Sequence, residues 1–260
     1  MRFGDVSFSV ASHAAWAPGL ATAAAWQEWA QGRRDISVPT EPPLHSMPPM
    51  LRRRASAAGR MALEAAYECL PEHAAIPIIF ASRHGECARS VELLHELANQ
   101  VPLSPASFSL SVHNATAGLF SIARGDHGNH IAIAAGPATI EYALIEACAL
   151  LADGVTQVLL VVSDSPPPAV LSIYNDAPEE SFAWAWLLQK LENSSATAGD
   201  RFSLSWSAHD QSESPLFAIP DMPSPATMPA GLEILRFFLR RDLELKRAVN
   251  GRLWRWSRHA

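Results

Sequence analysis

Cysteine is scarce in this sequence: 260 residues hold three, Cys69, Cys87 and Cys148. Their spacing forms no pair, which excludes a disulfide scaffold and a cysteine-based zinc site and fits a reducing, cytoplasmic setting. Positive charge is also short. Lys and Arg number 20 against 26 Asp and Glu, a net charge of −6, so general nucleic-acid binding is disfavoured. No uncharged apolar run approaches the ~20 residues that span a bilayer. The N-terminus lacks a Leu/Val-rich signal core, so neither a membrane span nor a secretory signal is expected. There is no Gly-x-Ser-x-Gly elbow, Walker loop or Gly-x-Gly-x-x-Gly, which removes the common hydrolase and nucleotide-binding readings. What remains is globular: 48% hydrophobic and 18% charged residues, in a chain long enough for one large domain or two small ones.

Hydrophobic patterning divides the chain. Phe3–Val10 reads as a strand, Pro18–Gln31 as a helix, the proline-rich stretch 35–50 as an extended loop, and Arg52–Leu70 as a helix. Arg52, Arg53, Arg54 and Arg60 near that helix start oppose its dipole, so they are expected to meet solvent, an acidic surface or a ligand. From Ile76 onward, unalternating apolar runs (Ile76–Ala81, Ile131–Ala135, Val155–Val162) are separated by helical segments (Ala88–Ala98, Ala115–Ala123, Thr139–Ala152), with Phe108–Val112 extended. Buried strands between helices predict an α/β sheet covered on both faces. Ser181–Leu191 fits helix or strand, Phe202–Trp206 a strand, and Asp210–Pro229 a linker. The segment Leu232–Ala260 carries eight basic and three acidic residues. It reads as a basic amphipathic helix lying on the protein's own acidic body or on an acidic partner.

Several side-chain groups invite a chemical reading. Ser82-Arg83-His84-Gly85-Glu86 follows a strand and resembles the signature of histidine phosphatases, in which an imidazole attacks a phosphoryl group held by arginine. Asp126, His127 and His130 make a D-H-x-x-H cluster, but they lie in a glycine-flanked turn that would separate them, so metal binding is disfavoured. His113, before an apolar helix, suits acid–base work or simple packing, and an acyl-transfer or thioesterase-like role for it stays open.

The segment Leu103–Asp164 resembles the N-terminal half of a β-ketoacyl-acyl-carrier-protein synthase, a thiolase-fold condensing enzyme. The features are Ser104-Pro105, Asn114 ahead of Ala117-Gly118, Gly128, the strand His130–Ala135 and Gly154. The resemblance covers about residues 50–165 and accounts for the Arg83–Glu86 turn as well. It departs at one point. The family's strand ends in a nucleophilic cysteine at a helix N-terminus, and here Ala135-Gly136-Pro137-Ala138-Thr139 puts Pro137 in that position. Proline offers neither a nucleophile nor an N–H, and Cys148, about three turns into the next helix, should be buried.

The resemblance implies a mixed sheet with helices on both faces. The domain over residues 1–209 is followed by a linker over 210–231 and a helix over 232–260. It also implies a role: a non-catalytic, chain-length-factor-like partner of an active ketosynthase in polyketide, aryl-polyene or fatty-acid-type elongation. The partner would supply the cysteine and histidines, and an acyl carrier protein would carry the chain. Ala106, Ser107, Phe108, His113, Asn114, Ala135 and Gly136 are then expected at the acyl tunnel or the subunit interface. No cofactor or metal is implied.

Overall fold

The computed structural model describes residues 4–37, 40–70, 75–175, 177–191, 200–208 and 227–259. Its strands are β1 (Gly4–Trp16), β2 (Ile78–Ala81), β3 (His130–Ile133), β4 (Gln157–Asp164), β5 (Phe182–Gln189), β6 (Asp200–Ala208), β7 (Glu244–Val249) and β8 (Arg252–His259). They form one mixed sheet in the order β3-β2-β4-β5-β1-β6-β8-β7. β2 pairs parallel with β3 and β4, and every other pairing is antiparallel. The helices are α1 (Ala23–Ala30), α2 (Pro49–Arg52), α3 (Ala57–Cys69), α4 (Cys87–Ala98), α5 (Pro105–Ser109), α6 (Ala115–Arg124), α7 (Thr139–Ala152) and α8 (Ala230–Arg240).

The two-residue period of the strands sorts side chains to two faces. Val158, Leu160, Val162, Trp184, Trp186 and Leu188 meet α1, α7 and α8 on one face. Leu159, Val161, Ala183, Ala185 and Leu187 meet α3 and α6 on the other. β5 therefore puts its tryptophans on one side and its alanines on the other. The alanines lie under Ala62, Ala65 and Ala66 of α3, and small residues on both surfaces let that helix approach the sheet closely. Ser12 Oγ anchors the end of α3 by donating to the Cys69 carbonyl at 3.0 Å.

Local chemistry explains where elements begin. Thr22 caps α1, Ser56 caps α3 and Ser104 caps α5, each hydroxyl accepting from an N–H of the first turn. The expected helix over Arg52–Leu70 is thus two helices. Arg52 lies before the Ser56 cap and donates to the carbonyls of Pro43 (3.0 Å) and Leu44 (3.3 Å), while Arg60 pairs with Glu41. Phe108–Val112 is not extended. Pro105 at the first helical position after the Ser104 cap starts α5 instead.

The C-terminal segment corrects the sequence reading. It begins as a helix, α8, but Arg241 takes a left-handed conformation (φ 60°) and ends it. The chain then turns through Asn250 and Gly251 as the hairpin β7–β8. In β8, Trp254 and Trp256 are buried two residues apart beside outward Arg255, a strand period. β8 pairs with β6 and with β7, so Glu244–Val249 and Arg252–His259 are strands of the main sheet. The linker expected from residue 210 lies outside the described residues up to 226.

All eight cations of this segment find partners within the chain. Arg247 and Arg258 are buried against Glu141 and Asp200; Arg240, Arg241, Lys246 and Arg255 pair with Asp242, Asp200 and Glu244. Arg236 and Arg252 lie over Trp29 and over Tyr142 and Trp254. Packing outweighs these pairs. Burying Leu232, Ile234, Leu235, Phe237, Phe238 and Leu239 contributes on the order of 10 kcal/mol gross, against about 0–1 kcal/mol for each exposed ion pair. Of the two readings of the basic segment, it is the protein's own body that receives it.

Candidate functional site

Because β2, β3 and β4 are parallel, the turns that follow them meet at one end of the sheet, where α/β folds commonly bind ligands. Asp164, closing β4, organises this end. Its Oδ1 accepts from Ser82 Oγ (2.8 Å) and the His84 N–H (3.0 Å), and its Oδ2 from the Arg83 N–H (3.1 Å). Burial pushes the Asp164 carboxyl up from its ordinary pKa, an effect these three donors partly offset. Ser82 Oγ accepts in turn from the Gly85 N–H at 2.8 Å. Gly85 has φ +54°, and a Cβ there would lie 2.9 Å from the His113 ring, so the position requires glycine.

The Ser82–Glu86 string is consequently a tightly bonded turn. His113 Nε2 lies 2.9 Å from the Ser82 carbonyl. Glu86 accepts from Ser56 Oγ (2.9 Å) and Thr116 Oγ1 (3.4 Å). His84 Nε2 lies 3.0 Å and Arg83 Nη1 3.8 Å from the same oxygen of Glu179. The imidazole and guanidinium that a phosphatase would turn toward phosphate are directed at a carboxylate, and that reading is set aside. Asp126 Oδ1 accepts from the Gly128 N–H at 2.7 Å, while His127 is exposed. No group of three possible metal ligands occurs among the described residues.

The elbow after β3 is a different kind of corner. Gly136, at φ +59°, opens a 3-10 turn over Gly136–Ala138 that runs directly into α7. Thr139 Oγ1 accepts from the Ala135 N–H (2.9 Å) and donates to the Gly136 carbonyl (2.7 Å). Pro137 stands at the centre, its carbonyl accepting from Arg247 Nη2 at 3.1 Å. Arg83, Pro137, Thr139, Asp164, Phe182 and Arg247 help line a cleft of about 280 Å³. Beneath it, Arg247 also donates to Glu233 (Nε, 2.8 Å) and to the fully buried Glu141. Burial by itself would lower the Arg247 pKa, but Glu141 and Glu233 more than offset it and hold the guanidinium charged.

The expected site residues separate into two groups. Gly136 lines the cleft and Ala135 bonds across the elbow, while His113 braces the adjoining turn. Ala106, Ser107 and Phe108 lie on α5 and line neither this cleft nor a second cavity of about 320 Å³ between the starts of α3 and α4. Phe108 is 64% exposed, and Asn114 caps α6 without using its side chain. Sequence reasoning missed Asp164, Glu179 and the Arg247–Glu141–Glu233 group. Glu141, a carboxylate in the first turn of the apolar-rich run TIEYALIEACALLA, was the available signal.

No cysteine occupies the elbow. Cys148 lies 11 residues beyond Pro137, about 16 Å along the helix. It is buried, and burial pushes its thiol up to about 12; burial also raises Cys69. At pH 8 only about one Cys148 in 10⁴ is thiolate. Iodoacetamide at that pH is therefore expected to modify the half-buried Cys87 first and to leave Cys69 and Cys148 intact until the fold is denatured, as peptide mass spectrometry would read.

No helix among the described residues is long and apolar enough to cross a membrane. No curated protein matches the chain. A solved complex of a ketosynthase (ApeO) with its chain length factor (ApeC) from Xenorhabdus doucetiae contains a similar chain: 26% identical, TM-score 0.78, covering 97% of this chain and 100% of that one. The ishigamide ketosynthase/chain length factor is 13% identical with a TM-score of 0.61, over 78% of this chain and 67% of that one. A β-ketoacyl synthase from Burkholderia phymatum STM815 is 12% identical with a TM-score of 0.58, over 91% and 71%. The last two likenesses are of fold, the thiolase-like α/β fold of ketosynthases. Residues 26–257 match the model of the β-ketoacyl synthase N-terminal domain, and with that match over most of its length the chain belongs to the β-ketoacyl synthase family.

Proposed function

We propose that this chain is a non-catalytic, chain-length-factor-like partner of an active ketosynthase, shaping the acyl tunnel of a polyketide, aryl-polyene or fatty-acid-type elongation system. The observation that carries the reading is Pro137 at the strand-to-helix corner of a β-ketoacyl synthase family chain. A condensing enzyme needs a thiolate there, with backbone donors for the oxyanion, and proline supplies neither.

Two surface features support a protein partner. Among the described residues β3, of sequence His-Ile-Ala-Ile, is an edge strand that pairs with β2 alone. The opposite edge, β7, by contrast carries Glu244 and Lys246 in ion pairs. An edge without charges is suited to association. Large apolar side chains are also exposed, among them Leu94, Phe108, Val170, Ile173 and Tyr174, the last three at 67–80% on one projecting turn (Ala169–Tyr174). In this reading the partner supplies the nucleophile, a carrier protein presents the growing chain, and Ala106, Ser107 and Phe108 face the tunnel. The solved ketosynthase complex with its chain length factor from Xenorhabdus contains a chain that this one covers completely, which agrees with the assignment.

Co-expression with the ketosynthase it serves is expected to yield a 1:1 complex that elongates acyl chains, while this chain alone elongates none. Within the complex, Ala106→Trp or Ser107→Trp is expected to shorten the main product by one or more two-carbon units, read by mass spectrometry. Elongation by the isolated chain would refute the proposal; unchanged products from an intact complex would refute the tunnel assignment.

A further inference from the structure

Arg247 reaches the elbow from 110 positions away in sequence. It lies on the outermost strand, β7, yet its side chain turns inward and is 6% exposed. Its guanidinium touches three elements: Glu233 on α8, Glu141 on α7 and the carbonyl of Pro137 in the turn between β3 and α7. The two carboxylates more than balance its charge. The third donor goes to a neutral carbonyl at the apex of the turn.

The Thr139 hydroxyl ties the two arms of that turn, accepting from the Ala135 N–H (2.9 Å) and donating to the Gly136 carbonyl (2.7 Å), but backbone bonding at its apex is sparse. Pro137 has no N–H, and the Ala138 N–H reaches the Ala135 carbonyl only at 3.3 Å. Among the described residues a Cβ at Gly136 would find no atom within 4 Å, so none of them packs the turn from that side. We propose that Arg247 is a positioning residue that holds the Gly136–Ala138 turn in one conformation, so that the C-terminal helix and hairpin set the shape of the elbow. A planar fork with donors in fixed directions suits this task, and a lysine ammonium does not.

The proposal does not depend on the partner reading and is tested on the isolated full chain. Amide exchange at Ala135, Ala138 and Thr139 is compared among the natural chain, Arg247→Lys and the double variant Glu141→Leu/Arg247→Met. Lysine keeps the charge opposite Glu141 and Glu233 but loses the fork. The double variant replaces the buried pair with apolar side chains, a change that folds tolerate, and leaves Glu233, which is 30% exposed, free to turn to water. Exchange at the three elbow amides is expected to rise about tenfold or more in each variant, with β4 and β5 amides within about twofold of the natural chain. Unchanged elbow exchange in a folded variant overturns the proposal, because Arg247 then only neutralises the two glutamates. An equal rise across β4 and β5 overturns it too, since the loosening would be general.

Discussion

Arg247→Ala is expected to destabilise the protein by about 3–5 kcal/mol, the cost of leaving a buried charge without its partner. Glu141 has no exposed surface and its Oε2 already lacks a hydrogen-bond partner among the described residues, so it depends on the guanidinium for compensation. The contrast is Arg241→Ala. Arg241 lies 2.9 Å from Asp200 but is 71% exposed, and its loss should cost at most about 1 kcal/mol. Equilibrium urea unfolding of both variants checks the pair of values. A loss below about 1 kcal/mol for Arg247→Ala would mean that water or another donor replaces the guanidinium at Glu141.

Trp186→Ala is expected to cost a similar amount, about 3–5 kcal/mol, for a different reason. Trp186 is 1% exposed at the centre of an aromatic cluster, with ring centroids at 4.6 Å to Trp184, 5.0 Å to Phe238 and 6.3 Å to Phe202. These neighbours come from β5, α8 and β6, and large rings fixed by several elements collapse little into a cavity. Trp186→Phe should cost much less, because it keeps most of the ring volume and removes an indole N–H that has no partner among the described residues. Chemical unfolding at one pH compares the two variants. Equal losses would show that the indole edge, and not ring volume, carries the packing.

The legible parts of the fold were those whose local signals agree. Thr139–Ala152 and Ile76–Ala81 are seen as predicted, give or take a residue or two, because dense apolar runs with clear ends leave little to misread. β1 shows how the signal fails. Val6 and Phe8 face the α7 side, but the register shifts between Val10 and Ser12, so Ala14 and Trp16 face α3 instead. A bulge inverts the alternation, and the sequence reading accordingly ended the strand at Val10, six residues early. The C-terminal hairpin was hidden for a related reason: Trp254 and Trp256 alternate with arginines, and long basic side chains beside aromatics also suit an amphipathic helix.

By itself the sequence determined the α/β class, the covered sheet and the family resemblance, since each rests on residue identity or on contiguous pattern. Only the tertiary structure decided that the basic C-terminus completes the protein's own sheet, that His84 and Arg83 converge on Glu179, and that Arg247 meets Glu141 beneath the elbow. These are contacts between residues far apart in the chain. Charge and periodicity specify that such groups need partners, and the packing of the helices on the sheet selects which partners they reach.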